Sequence, residues 1–172
     1  NYELTFVAGT FTIADKKTQN VTVTGILQKA TYGDAGFKIN VELDAESGLG
    51  NVEYASDNTK AVDLDTDGNV AIVGAGTANI TVTVAGDEEY ADFAKTVKIT
   101  VAKKDLTITI DNKTKKQGED DPEFTFTVTG LVDGDEVTGE PVRAKGEKLG
   151  TYAIRKGTLA VSSNYNVKFV EG

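Results

Sequence analysis

The sequence predicts an all-β chain, a two-sheet sandwich followed by a second small, mostly-β domain, and three observations predict it. Apolar residues alternate with threonine or other polar residues at period two, which puts one face of each stretch inward and the other toward water. Turn formers separate these stretches: Gly25, Tyr32-Gly33-Asp34, Asp67-Gly68-Asn69, Gly74-Ala75-Gly76, Ala85-Gly86-Asp87 and Asp133-Gly134-Asp135. They supply positive φ angles and side-chain bonds to the backbone. No window of helical length carries an apolar stripe with a 3.6-residue period.

Val21 and Val23 open the first part; Ile80, Val82 and Val84 form one long alternating run, and Val97, Ile99 and Val101 form another. Leu106, Ile108 and Ile110 start the second part, followed by Phe124, Phe126 and Val128, and by Tyr165, Val167 and Phe169. These are the β-branched and aromatic types that suit a pleated surface. The whole reads as antiparallel sheet. Near Val101-Ala102-Lys103-Lys104-Asp105-Leu106 one run gives way to the next across about four polar residues. No Gly, Pro or Ser cluster lies there to act as a hinge, so a domain boundary with a stiff joint is expected.

Composition limits the chemistry. The 172 residues carry 18 Lys and Arg against 27 Asp and Glu, a net charge of −9, so electrostatics oppose binding to nucleic-acid phosphates. His, Cys, Met and Trp are absent. The absence of Cys removes disulfides and thiolate metal sites; without His there is no side chain of near-neutral pKa for general base work. A glycosidase-like pair of carboxylates remains conceivable, but most acids sit in turns such as Asp133-Gly134-Asp135, where a solvated loop is expected. No apolar run reaches the roughly 18 residues of a membrane span. No basic start with an apolar signal segment is present either, so any anchor or export signal is expected outside this segment.

Several motifs have a plain reading beside the chemical one. Asp63-Leu64-Asp65-Thr66-Asp67-Gly68 imitates the start of a calcium loop, yet its twelfth position is Gly74 rather than Glu, and a hairpin turning at Asp67-Gly68 explains it. Gly74-Ala75-Gly76 lacks the Lys and helix of a phosphate loop, so close strand packing is expected. Asn20-Val21-Thr22, Asn79-Ile80-Thr81 and Asn112-Lys113-Thr114 match the glycosylation triplet, which arises readily by chance in Thr-rich strands. Lys113 to Lys116 reads as a solvated turn. No catalytic, cofactor-binding or metal-binding residue is assigned.

The order Tyr54-Ala55-Ser56-Asp57-Asn58, Ala61-Val62-Asp63, Gly68-Asn69-Val70, Val73 to Val82 and Ala85 to Tyr90 resembles the bacterial immunoglobulin-like family of group 2. That resemblance implies an Ig-like sandwich used as a repeated module of bacterial surface proteins. From Lys104 on, the chain resembles the MBG domain family. The residues that carry this are Asp105-Leu106-Thr107-Ile108, Asp121-Pro122, Phe124 to Gly130, Gly134-Asp135, Thr138-Gly139, Arg143, Gly146, Gly150 to Ile154, Gly157-Thr158-Leu159 and Asn164-Tyr165. Where that family often has Tyr-Gly, this chain has Gln117-Gly118. A β-grasp-like form is one option for this second domain. Neither family brings a catalytic set.

The chain also repeats itself. Asn1, Tyr2, Phe6, Val7 and Gly9 recur as Asn164, Tyr165, Phe169, Val170 and Gly172, at a constant offset of 163. Residues 1–14 are therefore expected to be terminal strands of a preceding MBG-like repeat, residues 15–103 the Ig-like domain, and residues 104–172 an MBG-like domain without its last strand. A strand exchange through the segment from Asn1 to Ile13 is expected to complete it. The expected partners are adjacent repeats, with no nucleic acid and no membrane insertion, and the expected location is the bacterial surface or the extracellular space. The leading functional expectation is a non-enzymatic stalk or spacer of an adhesin-like protein. The alternative is a module binding carbohydrate or host glycoprotein. A Lys to Asn amide crosslink beside an acid is a further option for stapling small surface domains that lack disulfides.

Overall fold

The computed structural model describes residue 9, residues 12–44 and residues 50–172. Most of the segment expected to exchange as a strand, from Asn1 to Ile13, lies outside the described residues. The strands run in the order β1 (Val21–Thr24), β2 (Lys29–Thr31), β3 (Phe37–Lys38), β4 (Asn40–Leu43), β5 (Val52–Ser56), β6 (Val62–Leu64), β7 (Asn69–Ile72), β8 (Gly76–Val84) and β9 (Phe93–Ala102). After Lys103 follow β10 (Lys104–Ile110), β11 (Phe126–Thr129), β12 (Val142–Arg143), β13 (Ile154–Arg155) and β14 (Tyr165–Val170). Among the described residues there is no helix.

The first nine strands make an Ig-like sandwich. One sheet has the order β2-β9-β8-β5; facing it are β3-β7-β6 and the ribbon β1-β4. The period-two pattern becomes burial directly: along β8, Ala78, Ile80, Val82 and Val84 are buried, while Thr77 and Asn79 on either side of Ala78 face water. Ala78, Ile80 and Val82 share one buried cluster with Ile39, Val62 and Val70, with Val23, Phe37, Tyr54 and Leu64 packed around it. Burying each Val or Ile side chain contributes about 1.5–3 kcal/mol.

The second unit is smaller. Its sheet has the order β11-β10-β14, with the first and last strands side by side and parallel, and β12-β13 form a separate ribbon. Leu106, Ile108, Leu159 and Tyr165 form its buried centre. Beyond the far end of β14, Ile154 and Gly172 exchange both main-chain hydrogen bonds, 3.0 and 3.2 Å.

Three expectations change. The sheets are not antiparallel throughout: β2 pairs with β9, and β10 with β14, in parallel. Such pairs join strands far apart in sequence and leave no hairpin turn to read. The break between the two parts is one residue, Lys103, rather than about four. Polar side chains do not stop a strand whose main chain has partners on both sides: Ala102 O accepts the Tyr32 N–H at 2.9 Å, and the Lys104 N–H donates to Asn164 O at 3.0 Å. Phe124 falls outside β11, which follows Pro122 and begins at Phe126.

Candidate functional site at the domain joint

A polar cluster lies where the two units meet. Tyr32 stands in the turn after β2, which closes because the Asp34 carboxylate takes the Thr31 N–H at 2.7 Å and the Asp34 N–H reaches Thr31 O at 2.9 Å. Gly33 turns with φ +85°, and a Cβ placed there falls 2.6 Å from Val132 of the second unit. The turn thus needs a glycine for its backbone angle and for the approach of the neighbouring unit.

Tyr32 packs against both hydrophobic clusters. Its ring meets Tyr165 edge to face, with centroids 5.5 Å apart and planes at 89°, the geometry that aromatic quadrupoles favour. Both phenols donate to one carboxylate oxygen, Asp135 Oδ2; the Tyr32 bond measures 2.9 Å. The Val132 N–H donates to the Tyr165 hydroxyl at 2.9 Å, so that oxygen both gives and accepts. Bonds of this kind to an ionised group contribute about 1.5–3 kcal/mol. Burial, reinforced by the bond to Asp135, pushes the Tyr165 phenol up to about 12, and the same two causes raise Tyr32.

Beside this pair, Asn164 Oδ1 accepts the Ala75 N–H at 3.0 Å. A Cβ at Gly74 would lie 2.6 Å from Lys60 O and 3.2 Å from Asn164 Oδ1. Gly74-Ala75-Gly76 is therefore a close-approach segment of the kind the sequence suggests, with Lys60 and Ala61 of its own unit nearest and Asn164 of the other unit beside them. Asp135 departs from expectation. Its Asp133-Gly134-Asp135 turn reads as a solvated loop, yet it bridges two domains.

The other motifs resolve locally. Residues 63–68 close the β6–β7 hairpin: Asp65 Oδ1 accepts the N–H groups of Asp67 (3.0 Å) and Asn69 (2.8 Å), and Oδ2 accepts Asn69 Nδ2 at 2.7 Å. The Asn79 amide group of one glycosylation-like triplet binds Asp57 Oδ2 at 2.7 Å.

At the outer end of the second unit a groove of about 290 Å³ lies between residues 112–122 and 146–152. Inside it Lys115 meets Asp121 (2.8 Å) and Glu147 (3.0 Å), and Arg143 meets Asp121 (2.7 Å) and Glu147. The Arg143 guanidinium, then Lys115, holds Asp121 below the usual carboxylate range, and bonds to Asp121 and Glu147 raise Lys115. Amide formation requires a neutral amine, so this ring favours an ion pair over a crosslink at Lys115. Gln117 stands where the Tyr-Gly pair is frequent. Its side chain reaches Glu147 O at 3.3 Å, and Gly118 keeps a left-handed turn with φ +88°.

Comparison with known families agrees with this architecture. Residues 38–86 match the intimin immunoglobulin-like domain, and residues 106–172 match the MBG domain of the YGX type. No curated protein matches the chain. The chain thus carries an Ig-like domain followed by an MBG domain. Domains of these two families are typical of bacterial surface or secreted proteins.

Proposed function

We propose that this chain is a non-catalytic stalk or spacer unit of an adhesin-like protein outside the bacterial cell, with residues 15–103 and 104–172 as its two modules and adjacent repeats as its partners. The observation that carries the reading is the joint: one residue, Lys103, separates β9 from β10, and tyrosines from both modules converge on Asp135. A spacer must transmit length, and a short joint with cross-domain bonds limits bending. The recurrence of five residues at offset 163 supports serial arrangement, since repeat units that contact only neighbours extend in one dimension. A sequence without His or Cys also suits a role that demands no general base or thiol nucleophile.

The test joins two copies of residues 10–172 in tandem and compares them with one copy by small-angle X-ray scattering, alongside a glycan array. A spacer is expected to roughly double its maximum dimension and to leave the array blank. Reproducible glycan hits would replace the reading with a binding module.

A further inference from the structure

We propose that Tyr32, Asp135, Tyr165 and Asn164 form a latch that fixes the Ig-like and MBG domains as one rigid body, with the Asp135 carboxylate as its pivot. The inference rests on the spacer reading and gives it a residue-level cause.

Four contacts define the latch, and they constrain different motions. Lys103 is pinned on each side, because Ala102 O holds the Tyr32 N–H and the Lys104 N–H is held by Asn164 O, so the connection itself has little freedom. Tyr32 and Asp135 come from opposite domains, 103 positions apart, and their bond opposes opening of the joint on that side. The Ala75 N–H to Asn164 Oδ1 bond makes a second cross-domain tie through a different loop. With the connection at Lys103, these two ties join the domains at three separate places, through three different segments of each domain. Tyr165 reaches across the joint through its ring, which meets Tyr32 edge to face. It orients the pivot, since its hydroxyl donates to the same Asp135 oxygen while accepting the Val132 N–H. Gly33 sets the spacing: its missing side chain lets Val132 approach.

The sequence repeat adds a separate observation. Asn164 and Tyr165 are two of the five residues that recur at offset 163, as Asn1 and Tyr2. The Asn-Tyr pair that the sequence repeats is the pair that the structure places at the joint.

The absence of cysteine permits a clean test, because two introduced cysteines are the sole labelling sites. Glu88→Cys lies at the outer end of the Ig-like domain and Lys145→Cys at the outer end of the MBG domain, both on exposed residues. Spin labels there report the distribution of interdomain distances by pulsed electron resonance. A narrow distribution is expected in the parent. Asp135→Ala should broaden it at least twofold, Tyr32→Phe should broaden it less, and the double variant should match Asp135→Ala alone, as expected for groups acting through one pivot. Amide spectra of each variant check that both domains keep their fold. Should Asp135→Ala unfold the MBG domain, Tyr32→Phe still decides, since it removes one hydroxyl only. A broad distribution in the parent, or an equally narrow one in Tyr32→Phe and Asp135→Ala, overturns the latch. Variants as narrow as the parent overturn the latch alone and leave the spacer reading in place, whereas a broad parent also removes the stiff joint that carries it; the scattering of the two-copy protein and the glycan array test that reading independently.

Discussion

At the residue scale the joint depends on where protons sit. The Tyr165 phenol holds its proton more tightly in the folded chain than in the unfolded one, because burial and the Asp135 carboxylate both disfavour the phenolate. Its contribution is therefore full below the ordinary phenol value near 10 and is lost as pH rises through about 12. Tyr32 shifts in the same direction for the same reasons. The groups that act on this pair are the Asp135 carboxylate and, at Tyr32, the Asn164 side chain. We expect the urea midpoint to fall between pH 10 and 12, and to fall less in Tyr165→Phe. A pH dependence identical in the two proteins would remove the titration account. None of this is legible around Asp135 itself, where Asp133-Gly134-Asp135 reads as a turn. What distinguishes it from a solvated turn is Tyr32, supplied from 103 residues away.

At the element scale, alternation carries most of the information. The burial of β8 follows its sequence residue by residue from Ala78 to Val84, and β10 does the same at Leu106, Ile108 and Ile110. Ile80 has no exposed surface and pairs with Val97 on β9. Ile80→Ala should cost about 2–5 kcal/mol, read as a lowered urea midpoint at unchanged slope, because neighbouring β strands limit how far the cavity can collapse. A loss below about half a kcal/mol would mean that the sandwich repacks there. The parallel pairs escape a sequence reading for a reason of range. Hairpins such as β6–β7 announce themselves through Asp67-Gly68, whereas β10 and β14 meet across the whole second unit with no local signal. The β9–β10 junction is hidden for a related reason: Lys103, Lys104 and Asp105 look like a linker, but their main-chain groups lie in or beside strands with partners.

At the scale of the whole molecule, the two hydrophobic clusters are separate, and Tyr32 packs on both. The latch therefore couples two cores that could otherwise unfold independently. A Gly-Ser-Gly-Ser insertion after Lys103 lengthens the connection without altering either core. Calorimetry should show one cooperative transition in the parent and two resolved transitions in the insertion variant. Two transitions in the parent would show that the joint contributes no coupling.

The strand-forming stretches, the turns between them, the likeness to Ig-like and MBG domains and the chemistry excluded by missing His and Cys can all be read along the chain. Those properties are local or compositional, so adjacent residues suffice to specify them. The tertiary structure alone decided the parallel pairings, the single-residue junction and the part played by Asp135. Each depends on which distant groups arrive at the same place, and one carboxylate becomes a pivot only when two phenols, remote in sequence, are packed against it out of water.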